Sequence, residues 1–339
     1  MRIACIILCL LAFSAVNSFS QEKDFSVLKG PYLGQKPPGM TPEVFAPGII
    51  STEATEGSSS FSNDGRFYLF ARARAAQEGI FIMEVENGVW NKPRLAPFSA
   101  GKHDWDFMLA PDGKTVFVAS GRPIRKGGSP LSDHQIWVSV RTDEGWTEPR
   151  LLPFPVNSGQ HDSYPSVTKD GMLYFFSRRD GGLGNGDIYR ATKKNEQYTE
   201  VENLNEPINT IHHEVDPYIA PDESYIIFCS NRPGGFGQED LYISYKKEDK
   251  SWTAPVNMGD KVNSPYQEYI PYVTPDGKHF FFTSNKSGNR DIYWMDAGII
   301  EELKIEKLKQ GKYNYETSME FIHLGFFHLY FTHRLCQER

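Results

Sequence analysis

Cysteine is scarce in this chain, with four in 339 residues. Two of the four, Cys5 and Cys9, fall within the first twenty positions. The other two, Cys229 and Cys336, are too few and too far apart to form a disulfide framework. No apolar run reaches the roughly twenty residues that a membrane-spanning helix requires. Positive charge is not in excess either: 36 Lys+Arg against 43 Asp+Glu leave a net charge of −7. That balance argues against a nucleic-acid or anionic-membrane surface. What the chain does have is turn residues and rings, with 29 Gly, 22 Pro and 14% aromatics. Together they predict an all-β protein of short strands joined by tight turns.

Residues 1–20 read as an address. Arg2 is followed by an apolar run from Ile3 to Val16 and then by Ser18-Phe19-Ser20, a small-x-small site before Gln21. A basic residue, a short apolar core and a small-residue site describe a secretory signal peptide, and with it a periplasmic or extracellular protein. Residues 21–39 are a lead-in. Residues 40–302 carry the repeats, and 303–339 form a C-terminal extension with a different composition.

A turn motif recurs through the repeats: SNDG, APDG, TKDG, APDE and TPDG, with aspartates Asp64, Asp112, Asp170, Asp222 and Asp276. The period is roughly fifty residues, which marks a repeat architecture. An Asp-Gly pair between apolar runs is a hairpin signal, because glycine accepts a positive φ. Each turn is followed by an aromatic run (FYLFA, TVFVAS, LYFFS, YIIFCS, HFFFTS) and then by a second short run (GIFIM, QIWVS, DIYRA, DLYIS, DIYWM). Next comes an aromatic residue three positions before proline: Trp90/Pro93, Trp146/Pro149 and Trp252/Pro255. The third repeat has Tyr198 but Val201 in place of proline. Each unit therefore predicts four antiparallel strands, A to D, and a propeller blade. Five blades is the direct count and six the alternative. The fifth repeat lacks its last strand, and residues 40–50, which resemble the Pro93 and Pro149 segments, are expected to supply it and close the ring.

The Ser230-Asn-Arg-Pro-Gly-Gly-Phe-Gly-Gln-Glu-Asp-Leu-Tyr run and its counterpart from Ser177 to Tyr189 resemble the WD40-like β-propeller repeat of TolB-like secreted bacterial proteins. The resemblance covers roughly residues 40–300. It implies the fold, and it implies a role as binding module or envelope assembly scaffold. It does not name a ligand, because the same propeller also serves enzymes.

Two sets of candidate site residues follow from the repeats. An acidic residue stands eight positions before every turn aspartate: Glu56, Asp104, Asp162, Glu214 and Glu268. One reading is a ligand-binding ring of carboxylates at the channel mouth, able to hold a cation or a basic partner. The other is a latch between blades, made with Arg122, Arg179, Arg232 and Lys286. A feature required by every blade points to architecture. One position earlier stand Thr55, His103, His161, His213 and Gln267. Three imidazoles and an amide would form a divalent-metal site if they converged on the axis. Such a set is similar in composition to the His/Gln metal site of propeller lyases acting on oligogalacturonate, although no motif matches. The repeats themselves call for no cofactor.

Blade 2 carries the longest insertion between strands B and C, with Arg125, Lys126 and His134 as candidates for contact with a partner or an acidic glycan. There is no G-x-S-x-G elbow, no H-E-x-x-H and no S-x-D-x-G-x-x-W box. The glycines at 181–186 and 234–237 sit between strands, so they read as turns and not as phosphate loops. The leading expectation is a monomeric, extracytoplasmic binding propeller for a protein or a cell-envelope glycan. Metal-dependent cleavage of an acidic oligosaccharide and pure scaffolding are the alternatives.

Overall fold

The computed structural model describes residues 27–307 and 309. The signal peptide read at residues 1–20 and the extension beyond 309 lie outside the described residues. Five antiparallel sheets form the chain. Strand A of each blade is Thr55–Phe61, Asp104–Leu109, Asp162–Val167, Glu214–Ile219 and Glu268–Val273. Strand B is Phe67–Ala73, Thr115–Ser120, Leu173–Ser177, Tyr225–Ser230 and His279–Ser284, and strand C is Gly79–Glu86, Gln135–Thr142, Asp187–Lys194, Asp240–Tyr245 and Asp291–Asp296. Successive A strands neighbour one another round the ring. The fold is the expected five-bladed β-propeller.

Closure is made by the N-terminal segment. Glu43–Val44 pairs antiparallel with the last C strand, Glu43 opposite Trp294 and Val44 opposite Tyr293. Phe45 donates its N–H to Ile292 O at 2.8 Å, and its ring is fully buried against Phe61, Phe281 and Trp294. The fourth strand thus joins the two ends of the ring and leaves no open edge on blade 5.

Proline governs strand D. In blades 1 and 2 the strand is broken into Val89–Trp90 with Arg94–Leu95, and Gly145–Trp146 with Arg150–Leu151. Pro93 and Pro149 sit in the breaks, where no N–H is available for the ladder. Blade 3, with Val201 at that place, keeps an unbroken strand over Gln197–Asn203.

The hydrophobic core lies between blades. Phe67, Leu69 and Ile82 of blade 1 meet Phe107, Val116 and Val118 of blade 2 in one cluster. Similar clusters join blade 2 to blade 3 and blade 3 to blade 4. The largest unites blades 4, 5 and 1 with the lead-in. Residues 298–307 are helical. They dock on blade 4 through buried Ile299, Ile300 and Leu303 and through Tyr245, which donates its hydroxyl to Ile300 O at 2.7 Å.

Candidate functional site at the channel mouth

Strand A starts, strand B ends and strand C starts at the same end of each blade, as the register shows for Asp162, Ser177 and Asp187. That end surrounds the channel mouth. The five acids at the start of strand A are there, and all are buried, at 0–2% exposure. Each accepts the backbone N–H of the residue four positions earlier, from Thr52, Ala100, Ser158, Thr210 and Ser264. A hydroxyl from the same loop adds a second bond, for example Ser158 Oγ to Asp162 at 2.8 Å.

Guanidinium groups complete four of the five. Arg122 reaches Asp104 at 2.8 Å, Arg179 reaches Asp162 at 2.9 Å and Arg232 reaches Glu214 at 3.1 Å. Arg179 and Arg232 also donate to carbonyls of the incoming loop, at Val156 and Ile208. Blade 1 achieves the same with Arg72, which bonds Glu56 at 2.9 Å. Arg72 stands in register where the other blades have Ser120, Ser177, Ser230 and Ser284. Lys286 of blade 5 instead lies over the Tyr293 ring at 4.0 Å. Burial is the largest influence on the Glu268 carboxyl and lifts it above its usual range.

The imidazoles do not meet on the axis. His161 shares a 2.9 Å hydrogen bond with Ser163 Oγ and lies 3.8 Å from Asp133. Its ring centroid is 5.3 Å from that of His134. Burial, with His134 second, pushes the His161 pKa down to about 4. His213 lies 3.5 Å from Glu239, to which Gln267 also donates at 3.3 Å. His103 ends the short turn Gly101–His103 before strand A. Among the described residues, no three His, Cys, Asp or Glu side chains are grouped to hold a metal ion. Arg125 and Lys126 are exposed on the blade 2 insertion, while His134 is half-buried.

A second set of positions rings the mouth. The residue just before strand C is Glu78, His134, Gly186, Glu239 or Arg290. The carbonyls of His134, Gly186, Glu239 and Arg290 accept the N–H of the next blade's ring acid. The scaffold fixes the backbone there, whereas the side chain varies: glutamate in blades 1 and 4, histidine in blade 2, glycine in blade 3 and arginine in blade 5. Arg290 places its guanidinium 4.3 Å from the Tyr269 ring centroid and 5.9 Å from that of Trp105. No carboxylate among the described residues lies within ion-pair distance of it. Trp105 needs a glycine beside it: a Cβ on Gly57 would stand 2.9 Å from the indole.

Below the mouth every strand A has a register shift. Tyr164, Asp216 and Ile270 have φ near +50° there, a bulge conformation that redirects the side chain. Ser58, Asp106, Tyr164, Asp216 and Ile270, with Pro165, Pro217 and Pro271, line the channel. Burial raises the Asp216 pKa from 3.8 to about 7, with Glu239 adding to the rise and Arg290 opposing it. The fold therefore holds this proton more tightly than the unfolded chain does. Stability from this group is complete below about pH 4 and declines as pH rises towards 7, by at most about 4 kcal/mol. Urea melts in chelator should show Asp216→Asn gaining on the native protein between pH 5 and pH 8. An equal gap at both pH values would exclude that origin.

No model of a known protein family matches the sequence, and no curated protein matches it. Among solved structures, the chain is similar to a protein described as TolB from Agrobacterium tumefaciens, at 16% identity and TM-score 0.49, over 72% of this chain and 78% of that one. It is similar to TolB from Acinetobacter baumannii at 14% identity and TM-score 0.46; the match covers 73% of this chain and only 55% of that one. An alpha-L-arabinofuranosidase from Lactobacillus brevis matches at 13% identity and TM-score 0.44, over 73% of this chain and 90% of that one. The chain is a five-bladed β-propeller. These likenesses concern the fold alone. No helix among the described residues is long and apolar enough to cross a membrane.

Sequence reasoning passed over Trp105, Tyr269, Arg290, Asp106, Asp216 and Glu239. A signal was present: these are repeated positions at which the residue changes from blade to blade.

Proposed function

We propose that this propeller is an extracytoplasmic binding module that takes a protein segment or an envelope glycan at the channel mouth, with no covalent chemistry. The reading rests on Arg290. A half-buried guanidinium stacked on Tyr269 and close to Trp105, without an internal carboxylate partner, is costly to keep unless something outside uses it. Rings beside a free donor fork suit a ligand with an apolar face and an acceptor group. The neutral imidazoles of His134 and His161 supply further polar contacts. The apolar run at residues 3–16 supports the compartment, and Cys229, the one thiol among the described residues and a buried one, is compatible with it.

Trp105 is itself a reporter. Titration with peptidoglycan fragments and with acidic oligosaccharides should change the tryptophan emission. Arg290→Ala should weaken that binding about tenfold or more, with a melting temperature close to the native one. A ligand whose affinity is the same in Arg290→Ala and Trp105→Ala would place recognition elsewhere.

A further inference from the structure

The seam between blades 2 and 3 departs from the seam between blades 1 and 2 at three positions. Phe98 of blade 1 is 2% exposed, because Trp146 of blade 2 closes over it with ring centroids 4.8 Å apart. One repeat later the same two places hold Phe154 and Tyr198; Tyr198 stands opposite Lys193 as Trp146 stands opposite Arg141. Phe154 is 80% exposed, and among the described residues its ring packs on no other. The third departure is a charge. Arg94 stands opposite Ile82 and pairs with Glu84, two residues further along strand C. Arg150 stands opposite Val138 in the same way, but two residues further along is Val140. Among the described residues Arg150 therefore has no carboxylate within ion-pair distance, and the Tyr198 hydroxyl has no hydrogen-bond partner.

Here the seam opens into a groove of about 540 Å³, within the roughly 300–1,000 Å³ typical of small-molecule sites. Its floor is apolar. Phe117, Val138 and Leu152 are buried members of the core cluster shared by blades 2 and 3, Tyr198 packs against that cluster, and Val140 lines the groove beside them. The backbones of Val138 and Val140 are already paired, with Phe117 and Arg150 and with Thr115 and Thr147. The floor thus offers no ladder to an extended peptide. Lys193 is taken by Glu196 at 2.7 Å, which leaves the Arg150 guanidinium and the Tyr198 hydroxyl as free donors. An apolar floor with one free guanidinium suits an alkyl chain that ends in a carboxylate. We propose that this groove binds a fatty acid, with its chain between Phe154 and Tyr198 and its carboxylate on Arg150. The site shares no residue with the channel mouth.

The test uses the full chain and fatty acids kept below their micellar concentrations. Octanoate should bind once per chain by calorimetry, and decanoate about tenfold more tightly. Octanol keeps the chain and lacks the acid, so it should bind about tenfold more weakly than octanoate. Arg150→Ala should weaken octanoate by a similar factor. Val140→Glu restores the pair that Arg94 makes with Glu84, so this variant should melt no lower than the native protein and should not bind octanoate. Native protein without saturable octanoate binding would overturn the proposal. So would octanoate binding that is unchanged in Val140→Glu, or octanol that binds as tightly as octanoate, because recognition would then not need Arg150.

Discussion

A chain beginning at Ser51 should not unfold cooperatively. It lacks the strand opposite Trp294 and Tyr293, and with it Phe45 and Ile50, both fully buried. It also loses the turn at Pro31–Gly34, where Tyr32 packs against Phe61, His279 and Trp294. The deletion exposes the edge of blade 5 and opens the largest core cluster. Losing one buried Phe costs about 3–5 kcal/mol, and stability for domains in general is about 5–15 kcal/mol. Phe45→Ala alone should therefore destabilise by about 3–5 kcal/mol in urea melts, while the truncated chain should show no sharp transition and should self-associate through the free edge. A truncated protein that melts like the full chain would mean the ring is closed by other contacts.

Asp162→Ala should lower stability by about 3–5 kcal/mol, because a buried ion pair that loses one member leaves the other uncompensated. In a chain of this size that is a fall of about 10 °C in melting temperature. Four donors converge on Asp162: the N–H and hydroxyl of Ser158, Ser177 Oγ and Arg179. Arg179 also carries the Val156 carbonyl of the preceding loop, so the change loosens blade 3 from blade 2. A double-mutant cycle with Arg179→Ala should show strong coupling. Unchanged melting together with lost ligand binding would return Asp162 to the mouth as a contact residue.

The fold was legible because its devices repeat. The Asp-Gly turns give the hairpins, and the ring acids give the start of each strand A. The interrupted Pro93 and Pro149 strands explain why an aromatic-x-x-proline signal marks strand D. Substitutions within a repeated device were harder to see. Arg72 escaped notice because it takes a serine's place and reaches the same carboxylate directly from the strand. Asp106 and Asp216 escaped because alternation along a regular strand places them beside the ring acids; only the bulge turns them inward. Arg290 precedes a repeated Asp-Ile-Tyr run and reads from the sequence as loop. A search for repetition finds what the scaffold needs and sets aside what the individual blades have made of it.

The closing strand also sets an order in time. Ser51 Oγ donates to Ile292 O across 241 residues of chain, so the first-made segment bonds to the last-made blade. During synthesis blades 1 to 4 can stack as they emerge, yet none of them can lock the ring. A nascent or interrupted chain that lacks blade 5 stays open at one seam, in a state that a protease can recognise. Only a chain that carries both the closing segment and blade 5 acquires the latched circle, and the slow non-local pairing of the two becomes the step that commits it to the native state.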